Sequence, residues 1–155
     1  MSTRCSIGIK LTNGKVVSIY NHSDGYPTGV GKILDEYYNT RENIMLLMNL
    51  GDISMLGTKP ISSPALWDMT SGVYELAADM RFNIPLCRTY IGRGDENNVN
   101  ARVSATVLEY LLKLGEEYNY LYDGGKWFVV WTKDGKTVER QTIYEAIKAE
   151  EENEY

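Results

Sequence analysis

Two turn signals near the ends of the chain constrain its fold more than anything between them. Residues 3–12 and 15–22 flank Asn13-Gly14, the strongest short-range hairpin signal. Residues 118–122 and 126–131 flank Asp123-Gly124-Gly125 in the same way. With Asn13 and Gly14 as the two central turn residues, Leu11 faces Val16, Ile9 faces Ser18, Ile7 faces Tyr20 and Cys5 faces His22. That side reads as core. The side carrying Arg4, Ser6, Gly8 and Lys10 reads as partly wet.

Helical spacing fills the interval. Thr28 is placed to cap a helix with Val30, Ile33, Leu34 and Tyr37 at i, i+3, i+4 and i+7. Thr40 and Gly51 bound a second helix, whose Ile44, Met45, Leu46, Leu47, Met48 and Leu50 predict burial on most sides. Pro60 and Pro64 mark a loop, and Val73, Leu76, Ala77 and Met80 predict a helix behind Thr70 or Ser71. Residues 86–91 read as a strand and 92–101 as a polar loop. Ser104 or Thr106 starts another helix, Thr106 forming a capping box with Glu109, and Gly115 closes it. Thr142 with Glu145 caps a short last helix that frays into the acidic end. This order lacks regular β-α-β alternation and predicts an α+β fold. Its antiparallel sheet comes from the two hairpins and the central strand, with helices packed on one face. Residues 1–149 form one domain, and 150–155 an acidic tail.

Composition sets the outer limits. With 155 residues, 43% of them hydrophobic and 24% charged, the chain can bury about two thirds of its unfolded surface without a metal or disulfide. Its longest apolar run, residues 44–48, is far short of the ~20 residues that span a bilayer. A basic start leading into an apolar stretch is absent too, so no membrane partner and a cytoplasmic location are expected. One His and two Cys cannot complete a closed zinc site alone, so no metal or cofactor is expected. Cys5 and Cys87 lack CxxC spacing and read as buried free thiols. Net charge is −5, and Glu150, Glu151, Glu152 and Glu154 account for four of it, which leaves −1 on residues 1–149. A balanced body offers no basic groove for nucleic acid.

Motifs for chemistry mostly fail their spacing rules. Gly25-Tyr26-Pro27-Thr28-Gly29-Val30-Gly31-Lys32-Ile33 has five residues before its Gly-Lys pair and Ile33 where a P-loop needs a hydroxyl. Gly29 and Gly31 suit a dinucleotide fingerprint, but Leu34 holds the third glycine position. Two readings of Thr28 to Lys32 stay open: a tight Gly-permitted helix start, or an anion site of free N–H groups, dipole and one ammonium. His22 with Asp24 reads either as a base with its orienting carboxylate or as a structural histidine beside Cys5. Arg88-Thr89-Tyr90-Ile91-Gly92-Arg93-Gly94-Asp95-Glu96 reads either as a grip on phosphate or as a surface loop pairing Arg93 with an acid. Twelve tyrosines against two phenylalanines suit half-exposed sheets and binding surfaces alike. Tyr118, Tyr120 and Tyr122 line one strand face, and Trp127, Val129 and Trp131 the next. No serine or cysteine stands in a nucleophile's context.

Met1-Ser2-Thr3-Arg4 precedes the first hairpin, and Tyr20-Asn21-His22-Ser23-Asp24-Gly25-Tyr26-Pro27 follows. Gly31-Lys32-Ile33-Leu34-Asp35-Glu36-Tyr37-Tyr38 and Leu50-Gly51-Asp52-Ile53-Ser54-Met55-Leu56-Gly57 come next. In these blocks and their order the chain resembles a family of small proteins encoded by phages and prophages, whose members carry a His-Trp-Asp-Gly-Tyr-Pro segment. Ser23 stands where that segment has Trp. Gly92-Arg93-Gly94-Asp95-Glu96 looks like a degenerate copy of a later Arg-Asp-Arg-Gly-Glu block, and residues 120–124 and 127–129 match the family's last strands. The resemblance implies a phage-linked setting in the host cytoplasm and no established reaction. Small accessory phage proteins of this kind often act against host defences.

Two functions are therefore expected. One is a counter-defence sponge, an oligomer that holds a phosphorylated nucleotide signal without turnover. Arg88, Arg93, Lys32, Gly29 and Gly31 would grip it, with Tyr26 or Tyr90 stacking on the base and His22, Asp24 and Arg4 as further candidates. The other is an inhibitor or adaptor that binds a host defence protein through the aromatic hairpin and the acidic tail.

Overall fold

The computed structural model describes residues 2–62, 86–90 and 99–153. Both hairpins form. In the first, β1 (Cys5–Lys10) runs antiparallel to β2 (Val16–Asn21), but with Ile7 opposite Ile19 and Cys5 opposite Asn21. The register is one residue from the expected one because the loop holds three residues. Gly14 N–H donates to the Leu11 carbonyl at 2.9 Å and Leu11 N–H to the Lys15 carbonyl at 2.8 Å. Gly14 takes a φ of 86°, which closes a type I turn with a left-handed residue. A one-residue slip exchanges every side chain of β2 between faces. Val17, Ile19 and Asn21 now join Cys5, Ile7 and Ile9, and His22 leaves the core face for that of Tyr20.

The second hairpin follows the expectation. β7 (Tyr118–Asp123) and β8 (Lys126–Thr132) pair antiparallel, with Asp123 opposite Lys126. Gly124 and Gly125 form its two-residue turn at φ of 61° and 86°, the mirror-image turn that suits strand twist.

What joins the hairpins was not foreseen. β7 lies parallel to β1, Cys5 opposite Tyr118 and Ile9 opposite Tyr122. The sheet is therefore mixed, which corrects the antiparallel expectation. Such pairing needs a long crossover, and residues 22–117 between the hairpins supply it. The other strands are β3 (Ile53–Met55), β4 (Lys59–Ser62), β5 (Leu86–Thr89), β6 (Arg102–Ser104) and β9 (Val138–Thr142). Strand order is β4-β5-β3-β2-β1-β7-β8-β9, with β6 also on β2.

Helices cover both faces of this sheet, not one. On one side α1 (Lys32–Tyr37), α2 (Arg41–Leu50) and α4 (Ile143–Glu152) close the main core, where Leu34, Ile44, Leu47 and Ile143 meet Cys5, Ile7, Ile9 and Tyr120. On the other, α3 (Val107–Leu114) packs Tyr110 and Leu111 on Val16, Leu121 and Val130. The side of β1 expected to be partly wet is buried at Ser6 and Gly8, while Lys10 is half-buried and Arg4 exposed. Its Ser6 hydroxyl meets the Tyr110 hydroxyl at 2.6 Å and donates to Asn119 Oδ1 at 2.7 Å.

Three of the expected caps are present. Thr40 Oγ accepts the Asn43 N–H, Thr106 Oγ accepts the Glu109 N–H, and Thr142 with Glu145 forms a full capping box. Two expectations change. α2 buries one face only, leaving Met45 and Leu46 exposed. The first helix begins not with a Thr28 cap but as a π-helical turn, Pro27–Gly31, that runs into α1. Pro27 favours this start, since its fixed φ suits a first helical turn. The helix behind Thr70 or Ser71 and most of the 92–101 loop lie outside the described residues. Among the described residues no helix is long and apolar enough to cross a membrane.

Candidate functional site

The C-terminal acids build the site. From its capping box α4 projects Ala146, Ala149, Glu150 and Asn153 along one stripe, at helical spacing. The stripe returns to the π-helical turn, where the Thr28 N–H donates to Glu150 Oε2 at 3.0 Å and the Thr28 hydroxyl to Oε1 at 2.8 Å. A carboxylate thus satisfies an N–H that a helix start leaves without an intrahelical partner. The helix N-terminus read as an anion site already holds an anion, supplied by the chain itself. Glu150 to Glu152 belong to α4, so the folded body extends past residue 149.

Between this contact and the second hairpin runs an open-sided groove of about 650 Å³. Val129, Trp131 and Tyr118 line it from the sheet, Ala146 and Ala149 from α4, and Pro27 from the turn; Glu117, Glu150, Gln141 and Asn153 bring its polar groups. Among the described residues, no lysine or arginine lines it. Glu117 and Glu150 enter no ion pair among the described residues. Burial raises the Tyr118 hydroxyl above its ordinary pKa, and the charges of Glu150 and Glu117 raise it further. The Tyr26 hydroxyl is raised as well, first by Asp24 and then by burial, with a smaller share from Glu150. In both, the Glu150 charge adds to the rise behind a larger cause, burial for Tyr118 and Asp24 for Tyr26.

The nucleotide-grip residues divide between the two faces. Gly29, Gly31 and Lys32 sit on the π-helical turn and at the start of α1, over the main core; Lys32 is exposed. Arg88 lies on β5 between buried Cys87 and Thr89. Cys87 belongs to the main core, so strand alternation turns Arg88 to the opposite face. The expected convergence of Arg88 with Gly29 to Lys32 is therefore not formed. Arg93 lies outside the described residues.

A second cluster forms on the far face. The Tyr20 hydroxyl meets His22 Nδ1 at 2.7 Å. Burial pushes the Tyr20 hydroxyl up to about 12, Arg4 opposing the shift and Tyr90 adding to it. His22 touches Tyr20, while Arg4, Tyr90 and Glu116 act on it electrostatically. Asp24 is not the carboxylate that orients His22; it accepts from the Tyr26 hydroxyl at 3.2 Å. Asp52 and Arg102 border the cluster, since Asp52 Oδ1 accepts the Tyr20 N–H at 2.9 Å and a guanidinium N–H at 2.8 Å. Cys5 and Cys87 are buried free thiols, and burial raises both.

Sequence reading missed the groove because it treated the last acids as a fraying tail. A signal was available: the Thr142 cap fixes the helical phase, and Ala146, Ala149, Glu150 and Asn153 fall on one stripe. Among the described residues no group of three or more His, Cys, Asp or Glu is arranged to hold a metal ion. No protein-family model matches the chain, and no curated protein or solved structure is significantly similar to it.

Proposed function

We propose that this protein works by docking, as an inhibitor or adaptor whose groove between α4 and the second hairpin takes a basic segment of another protein. The observation that carries this reading is the lining itself: Tyr118, Val129 and Trp131 beside Glu117 and Glu150, with no lysine or arginine among the described lining residues. Aromatic rings give a partner large contact area at low entropic cost, and the carboxylates select its charge. The resemblance to phage proteins supports a host defence protein as the target. The test is fluorescence anisotropy with a labelled mixed lysine/arginine peptide. Binding is expected to weaken steeply with salt and by about tenfold or more in a Glu117→Gln/Glu150→Gln double variant. Equal affinity for an acidic peptide, or no effect of the double variant, overturns the reading.

Capture of a phosphorylated nucleotide is a second reading, and the far-face cluster favours it. His22 meets Tyr20 there at 2.7 Å, and the charges of Arg4 and Glu116 both act on the Tyr20 hydroxyl, so an imidazole, a cation and a ring stand beside one opposing carboxylate. The turn before Lys32 gives no support, because Glu150 occupies it. Calorimetric titration with cyclic and ADP-ribose-type nucleotides is expected to give heat that falls with Arg4→Ala and Tyr90→Ala. No heat with any of them removes this reading.

A further inference from the structure

We propose that the groove is specific for arginine, seating one guanidinium of the partner against Tyr118 and Trp131 with Glu117 and Glu150 as counter-charges. The proposal rests on the docking reading and adds the identity of the side chain recognised.

Three observations carry it. First, the rings belong to one wall. Tyr120 pairs with Val129, so two residues further along each strand Tyr118 and Trp131 share the face that looks at α4. The Tyr118 ring lies nearly parallel to that of Tyr120, at 15° and 6.5 Å between centroids, which fixes its plane. A flat delocalised cation stacks on such rings, whereas an ammonium is a compact and strongly hydrated point charge.

Second, the acceptors outnumber what an ammonium can use well. Glu150 gives one lone pair from each oxygen to Thr28, leaving acceptor capacity on both. Glu117 and the Gln141 amide add further acceptors. Five N–H donors in a planar fork match that supply better than three on a rotor.

Third, the opposite wall is smooth and small. Ala146 and Ala149 face the rings from α4, leaving a slot for the aliphatic stem of a long side chain. The volume of about 650 Å³ exceeds one side chain, so flanking backbone of the partner enters as well.

The test uses three labelled nonapeptides identical except for arginine, lysine or citrulline at one central position. The arginine peptide is expected to bind about 5- to 10-fold tighter than the lysine peptide. The citrulline peptide, equal in shape but uncharged, is expected to lose about tenfold or more. Trp131→Leu should remove the arginine-over-lysine gap, with far-UV circular dichroism checking its fold. Glu117→Gln, at an exposed position, should weaken both basic peptides alike and needs no repacking. Equal binding of arginine and lysine overturns the arginine specificity while leaving the docking reading standing. Failure of both basic peptides to bind overturns the two together.

Discussion

Gly51→Ala is expected to cost about 3–4 kcal/mol of folding stability, and to lower the melting temperature by roughly 10 °C for a chain of this size. Two independent effects combine there. Gly51 ends α2 at φ 76° and ψ −158°, a region that is essentially glycine-only. A Cβ at that position would also collide with the Val99 carbonyl oxygen. The chain cannot retreat, because the next residue's N–H donates to that same carbonyl at 2.7 Å. Gly14→Ala separates the two effects. Its φ is likewise positive, at 86°, but nothing lies within 4 Å of a Cβ there, so only the conformational cost of about 1 kcal/mol applies. Urea denaturation of both variants checks the contrast. Equal losses would mean that the Val99 contact adds nothing.

Local signals carried much of the fold. Thr40, Thr106 and Thr142 cap helices where their sequence contexts place them, and Gly124-Gly125 turns the second hairpin. Each of these depends on neighbours within a few residues. The parallel seam between β1 and β7 depends instead on residues more than a hundred positions apart, and no local periodicity encodes it. β3 and β6 have three residues each, too few to show alternation. The first hairpin failed in register rather than in kind, because Asn13-Gly14 serves both two-residue and three-residue loops. That single residue decided where His22 stands. Burial followed the same logic: Tyr110 and Leu111 are buried while Leu112 is exposed, which the position of α3 on the sheet determines.

The candidate site was half legible. Tyr118 and Trp131 were visible as members of aromatic strand faces, and Glu150 as part of an acidic tail offered to a partner rather than as a residue held against the folded body. Its role needs the π-helical turn beside α4, a tertiary contact 122 residues apart in sequence. An acidic end that looks like a tail can therefore be a wall of the site. The cap phase of the preceding helix is the feature that tells the two apart.

Arg102→Met is expected to cost about 3 kcal/mol, more than Asp52→Asn at about 1–2 kcal/mol, with the double variant less damaging than the two losses added together. The guanidinium is bidentate on Asp52, at 2.8 Å to Oδ1 and 2.6 Å to Oδ2, and Asp52 raises its already high pKa. The two partners are not equally buried: the side chain of Arg102 keeps 32% of its exposure and that of Asp52 only 8%. Removing the arginine strands a carboxylate among buried groups, held among the described residues by the Tyr20 N–H. Removing the carboxylate's charge leaves an arginine able to turn toward water, and the asparagine oxygen still accepts from Tyr20. The pair ties β6 to the residue before β3, whose carboxylate also holds β2 through the Tyr20 N–H, while the Asp52 carbonyl takes the Tyr90 N–H at 3.2 Å. Its loss should therefore also loosen the far-face cluster around Tyr20. Urea denaturation of the two single variants and the double completes the cycle. A larger loss for Asp52→Asn than for Arg102→Met, or simple additivity, would show that exposure does not govern this pair.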